Sequence, residues 1–175
     1  LRRVPGDNFY LRLVGTRDER SVTAWYDAMK ATLRLEAVHD PAAALEPGEV
    51  LYLASGPAEL VVEEGDPLFF AVSAGSGAPR LDKRQVEGRP VGRGRLFLTD
   101  RRLVWRDKDR AVSWPLARLN SAHAFLNHGV MFLIEMRLYT ARFLQESLLK
   151  WVTYVAMVSA QVEAETGHRI TTSNF

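Results

Sequence analysis

Six short runs of alternating or dense apolar residues lie between Gly94 and Phe143, each a few residues long and separated by tight turn signals. They are Gly94 to Thr99, Arg102 to Arg106, Ala111 to Pro115, Ser121 to Leu126, Val130 to Met136 and Leu138 to Phe143. The connections, Thr99-Asp100-Arg101, Lys108-Asp109 and Asn127-His128-Gly129, are too short to hold a crossover helix. Parallel strands need such a crossover, so the runs predict an antiparallel meander and exclude βαβ units.

A different period follows. From Gln145 to Thr166 apolar residues fall at Leu148, Trp151, Val152, Val155, Val158 and Val162, and Gly167 stands where a C-cap belongs. This is the pattern of an amphipathic helix of about 20 residues. After an antiparallel meander it should cover an open end or face of the sheet.

The region before Gly94 is less regular. Phe9, Leu11 and Leu13 suggest a short strand. Thr16 with Glu19 reads as a capping box, and Val22, Trp25, Met29 and Leu33 recur at helical spacing. They predict a helix from about Arg17 to Val38, ended by Asp40 and Pro41, whose stripe packs on the domain or docks another chain. Glu49 to Ala54, Leu60 to Glu63 and Leu68 to Ser73 read as strands, and Gly75 to Gly92 as a long exposed loop.

The central hairpin carries a family resemblance. Gly94-Arg95-Leu96-Phe97-Leu98-Thr99-Asp100-Arg101-Arg102-Leu103-Val104-Trp105 is followed by Val112-Ser113-Trp114-Pro115-Leu116 and preceded by Leu45-Glu46-Pro47-Gly48-Glu49-Val50. This order resembles the pleckstrin-homology-like (PH-like) superfamily, especially its GRAM and bacterial PH branches. The resemblance spans about Leu45 to Thr166. It implies a mainly β fold with α, an antiparallel β-barrel or sandwich capped by a long C-terminal helix, to which the sequence adds an N-terminal helix. The domain division expected is 1–44 as an N-terminal extension, 45–167 as the PH-like domain and 168–175 as a tail. The chain has more residues between Val50 and Gly94 than a minimal domain of this kind, so no lipid-binding residues are carried over.

Chemistry is sparse. The chain has no cysteine, which excludes thiol nucleophiles, disulfides and cysteine-held metals. No phosphate-cradling glycine motif or nucleophile elbow occurs; Gly88-Arg-Pro-Val-Gly-Arg-Gly contains Pro90 and opens no helix. His39, His123, His128 and His168 show no metal-ligand spacing, and Glu63, Glu64 and Asp66 read as a solvated turn. No enzyme activity and no cofactor are expected. No apolar run is long enough to span a bilayer, and no signal-peptide pattern opens the chain, so a cytoplasmic setting, with peripheral membrane contact as a variant, is expected.

Charge supplies the one functional lead. Between Arg80 and Arg110 eleven Lys or Arg face five Asp or Glu, a local +6 against +2 for the whole chain. Arg84, Arg89, Arg93, Arg95, Arg101, Arg102 and Arg106 form the candidate ligand-binding set. Two readings stay open: a patch for an anionic partner, or a solvated barrel exterior. Nucleic acid is disfavoured because exposed aromatics are not interleaved with these arginines. The expected role is a non-catalytic module for protein interaction or scaffolding, including self-association through a strand edge. Anionic lipid at a membrane surface is the alternative, and a hydrolase or transferase assembled from scattered His, Asp and Ser residues is a third, less favoured reading.

Overall fold

A computed structural model describes residues 34–64, 87–125 and 129–172. Within them the chain is mostly strand, with one long helix at its C-terminal end. The strands are β1 (Leu51–Ala54), β2 (Ala58–Glu64), β3 (Glu87–Thr99), β4 (Arg102–Arg106), β5 (Ala111–Pro115), β6 (Leu119–Phe125), β7 (Gly129–Ile134), β8 (Arg137–Phe143) and β9 (Thr171–Thr172). The helix, α1, is Leu148–Thr166.

The sheet order is β5-β4-β3-β2-β8-β7-β6-β9, with β1 paired to β3 beside β2. Every pairing is antiparallel except the short parallel β6–β9 contact. The fold is therefore the mainly β, helix-capped architecture that the meander implies.

β3 organises the sheet because it has three partners. Its far half pairs with β4, Leu96 opposite Trp105 and Leu98 opposite Leu103. On its other edge β1 and β2 follow one another, broken at Ser55 to Pro57. The Ser55 hydroxyl accepts from the Leu96 N–H at 2.7 Å, so the ladder is bridged across the break. Leu96, Leu98, Leu103 and Trp105 are all buried in the main core.

Both ends of α1 are set locally. The Ser147 hydroxyl accepts from the Lys150 N–H, and Gly167 ends the helix with φ 73°. Trp151, Val152, Val155 and Val158 are buried in the same core as the hairpin. Trp151 stacks on Phe143 with ring centroids 5.0 Å apart, tying α1 to the end of β8.

Several expectations are corrected. The predicted helix at 17–38 falls mostly outside the described residues, but its last part, 34–38, is not helical. There the Val38 N–H donates to the Leu51 carbonyl at 2.8 Å, so the chain runs beside β1 instead of coiling. Residues 87–92, expected at the end of a loop, belong to β3. Glycine and proline suggested a loop, yet pairing with β2 decides the outcome. Pro90 lies where the register shifts between Leu60 and Val61, a bulge that tolerates a missing N–H. In β8, Tyr139, Ala141 and Phe143 face the main core, but Leu138 and Thr140 on the opposite side are buried as well. The proposed strands at Phe9 to Leu13 and Leu68 to Ser73 and the loop at 75–86 lie outside the described residues.

Candidate binding groove

The outer face of the β3–β4 hairpin is covered by a strap, Asp40 to Val50. It opens with a single 3₁₀ turn, Pro41–Ala43, capped by the Asp40 carboxylate accepting from the Ala42 N–H. Ala43 drops into a small second core with Leu51, Phe97 and Val104. Phe97 and Val104 are opposite one another in the hairpin, so the strap buries the side turned away from the main core.

Arginines hold the strap in place. Arg95 on β3 bonds the Asp40 carboxylate at 2.6 Å and donates from Nε to the Ser55 carbonyl. Arg102 on β4 donates from Nε and Nη2 to the two Glu49 oxygens at 2.7 and 2.8 Å, and lies 3.2 Å from Glu46. Arg106 donates to the Ala42 carbonyl at 3.0 Å, and Arg101 to the Gly48 carbonyl at 3.3 Å. Asp100, in the hairpin turn, accepts from the Val50 N–H at 2.9 Å.

The electrostatics follow from these contacts. Burial pushes the Glu49 carboxyl up. The Arg102 guanidinium, the Glu46 N–H and the Thr99 hydroxyl outweigh that and bring it down to about 2. The hydrogen bond from Arg95 holds Asp40 below the usual carboxylate range.

Between the strap and the hairpin rim lies an open groove of about 690 Å³. Arg93, Arg95, Arg106 and Lys108 supply its charge, while Pro41, Ala42, Ala44 and Pro57 supply apolar walls. Asp107 also lines it, but its two oxygens accept from the Asp109 and Arg110 N–H groups and from Arg110 Nε. The Arg110 bond holds the Asp107 carboxyl below its ordinary value.

The candidate arginines therefore divide. Arg93, Arg95 and Arg106 meet in the groove. Arg101 and Arg102 sit at the turn end of the hairpin against the strap, and exposed Arg89 does not line the groove. Arg84 lies outside the described residues. Lys108 was not in the candidate set; its signal was its place in the tight turn beside Arg106, which returns its charge to the β3 rim.

No protein-family model matches the chain, and no curated protein matches it. Among solved structures it is similar to the Vps36 N-terminal PH domain, at 16% identity over 70% of this chain and 86% of that one, with a TM-score of 0.39. That likeness says nothing of a ligand.

What the groove can do rests on its unpaired charge. Arg93 lies opposite Glu59 in the register, but Glu59 is 3.7 Å from Arg142. Neither Arg93 nor Lys108 has a carboxylate partner among the described residues, and Arg106 has only a carbonyl. An incoming carboxylate or phosphate would meet three donors without displacing an ion pair. Among the described residues no group of three or more His, Asp or Glu could hold a metal. His168 lies 2.8 Å from the Leu119 carbonyl, and burial lowers the pKa of His123, which favours its neutral form. No helix of the described residues is long and apolar enough to cross a membrane.

Proposed function

We propose that the chain is a non-catalytic binding module of the PH-like kind, from its GRAM or bacterial PH branches, that docks an anionic segment of another protein in the groove. The observation that supports this reading is the convergence of Arg93, Arg106 and Lys108, without carboxylate partners among the described residues, on one concavity. By contrast Arg95, which also lines the groove, and Arg101, Arg102 and Arg110 outside it each face a carboxylate. Cations left uncompensated together in a groove favour an external anion over a structural role. The setting proposed is the cytoplasm, and the edge of β5, which has no partner strand among the described residues, is a route to self-association.

Anionic lipid is the second reading. Leu144, 64% exposed, donates its N–H to the carbonyl of groove residue Pro57, so an exposed apolar residue stands one backbone hydrogen bond from the groove lining.

Fluorescence anisotropy with a labelled peptide of Asp and Glu residues tests the main reading. Binding should weaken steadily as salt screens the groove, and Arg93→Glu/Lys108→Glu should reduce affinity about tenfold, as two exposed pairs of up to about 1 kcal/mol each imply. Undetectable binding, or a variant that binds as the parent does, would refute it.

A further inference from the structure

We infer that the groove reads an extended segment in which acidic and apolar residues alternate, taking the groove as the docking site proposed above. Its two sides differ in chemistry. Arg93, Arg106 and Lys108 bring charge from the hairpin rim, while Pro41, Ala42, Ala44 and Pro57 form an uncharged wall. Two of the exposed large apolar residues of the described chain adjoin that wall through the backbone. Leu45, 38% exposed, follows Ala44 directly, and Leu144 is bonded through its N–H to Pro57. In an extended segment successive side chains point to opposite sides, at a rise of about 3.3 Å per residue. One set of alternate residues would therefore reach the cations while the other lies against the proline and alanine wall, within reach of the two leucines at its edge.

The hairpin already holds one segment by the same means. The strap offers Ala43 to the apolar pair Phe97 and Val104, and its acids Asp40, Glu46 and Glu49 to Arg95 and Arg102. The groove continues that surface with its own cations and apolar wall. Its concave shape fits a chain segment better than a flat bilayer, because the strap stands beside the cations as a wall.

Titration calorimetry and anisotropy with two peptides of equal length and net charge provide the test, one alternating Asp with Leu and one alternating Asp with Ser. The Asp/Leu peptide should bind about tenfold tighter. Leu144→Ser should remove most of that difference and leave the Asp/Ser affinity unchanged, since Leu144 is exposed and its loss should not disturb the fold. Arg93→Glu/Lys108→Glu should weaken both peptides about tenfold. Equal affinity of the two peptides, or indifference to both Leu144→Ser and Leu45→Ser, would overturn the alternating-segment inference while leaving the anionic groove standing. If neither peptide binds, the groove reading falls with it. Binding to vesicles of mixed neutral and anionic lipid, lost in Leu144→Ser, with no peptide binding, would overturn both in favour of a membrane surface.

Discussion

Arg102 grips Glu49 across 53 residues of sequence, with Nε and Nη2 each donating to a separate carboxylate oxygen. The Thr99 hydroxyl lies 2.7 Å from the same carboxylate, and the Glu46 N–H donates to it at 2.7 Å. The Glu49 side chain is fully buried and that of Arg102 is 18% exposed. Removing one partner would strand a buried charge, so this pair fixes the strap to the hairpin.

The pair makes stability depend on acid. The Glu49 carboxyl titrates near 2 when folded, below its ordinary 4.5. A carboxylate depressed by folding stabilises the protein above its unfolded pKa. That stability is lost as pH falls from about 4.5 towards 2, and it amounts to on the order of 3 kcal/mol. Chemical denaturation as a function of pH should show a flat region above about pH 5.5 and a decline below it. Glu49→Gln should flatten part of the decline and cost about 1 to 3 kcal/mol near neutrality.

Gly94 has a different constraint. A Cβ there would come within 2.1 Å of the Arg106 carbonyl oxygen and 3.0 Å of the Trp105 ring. Two backbone strands approach too closely for any side chain, and neither atom can swing away. Gly94→Ala should lower stability by more than about 2 kcal/mol, read as a reduced denaturation midpoint.

The β7–β8 turn should respond in the opposite sense. Glu135 and Met136 both take positive φ, 49° and 65°, in a two-residue hairpin connection. That geometry favours glycine or asparagine, and Met136 is 61% exposed, so little buried surface is lost with its side chain. Met136→Gly should stabilise the protein by about 1 kcal/mol and raise Tm by a few degrees.

Glu146 anchors α1 to the sheet. One of its oxygens accepts from the Gly56 N–H at 2.7 Å and the other from Trp151 Nε1 at 3.0 Å. Glu146→Ala would leave both donors without that acceptor, and a loss of about 2 to 3 kcal/mol is expected by thermal or chemical melting.

The hairpin and α1 were legible because each is specified by neighbours in sequence. Leu96, Leu98, Leu103 and Trp105 alternate across one turn, and Ser147 and Gly167 bound a stripe of helical period. The strap was not legible in the same way. Arg95 and Arg102 looked like free positive charge because their partners, Asp40 and Glu49, lie 55 and 53 residues away. Counting charge along the chain cannot register a pairing at that distance. Strand pairing hid the start of β3 likewise, since Gly88, Pro90 and Gly92 read as loop until β2 lies beside them. Arg93 and Arg106 were in view as candidates. The groove that unites them with Lys108 depends on where the strap runs, which no local pattern encodes.

Docking of an anionic segment between strap and hairpin, the proposed role of the groove, is tested most directly by residue-by-residue mapping. In an amide NMR titration with the Asp/Leu peptide, the largest shifts should fall on Arg93, Gly94, Arg106, Lys108 and Ala42. Shifts centred on the Thr99 to Arg102 turn or on α1, or no shifts at all, would contradict it.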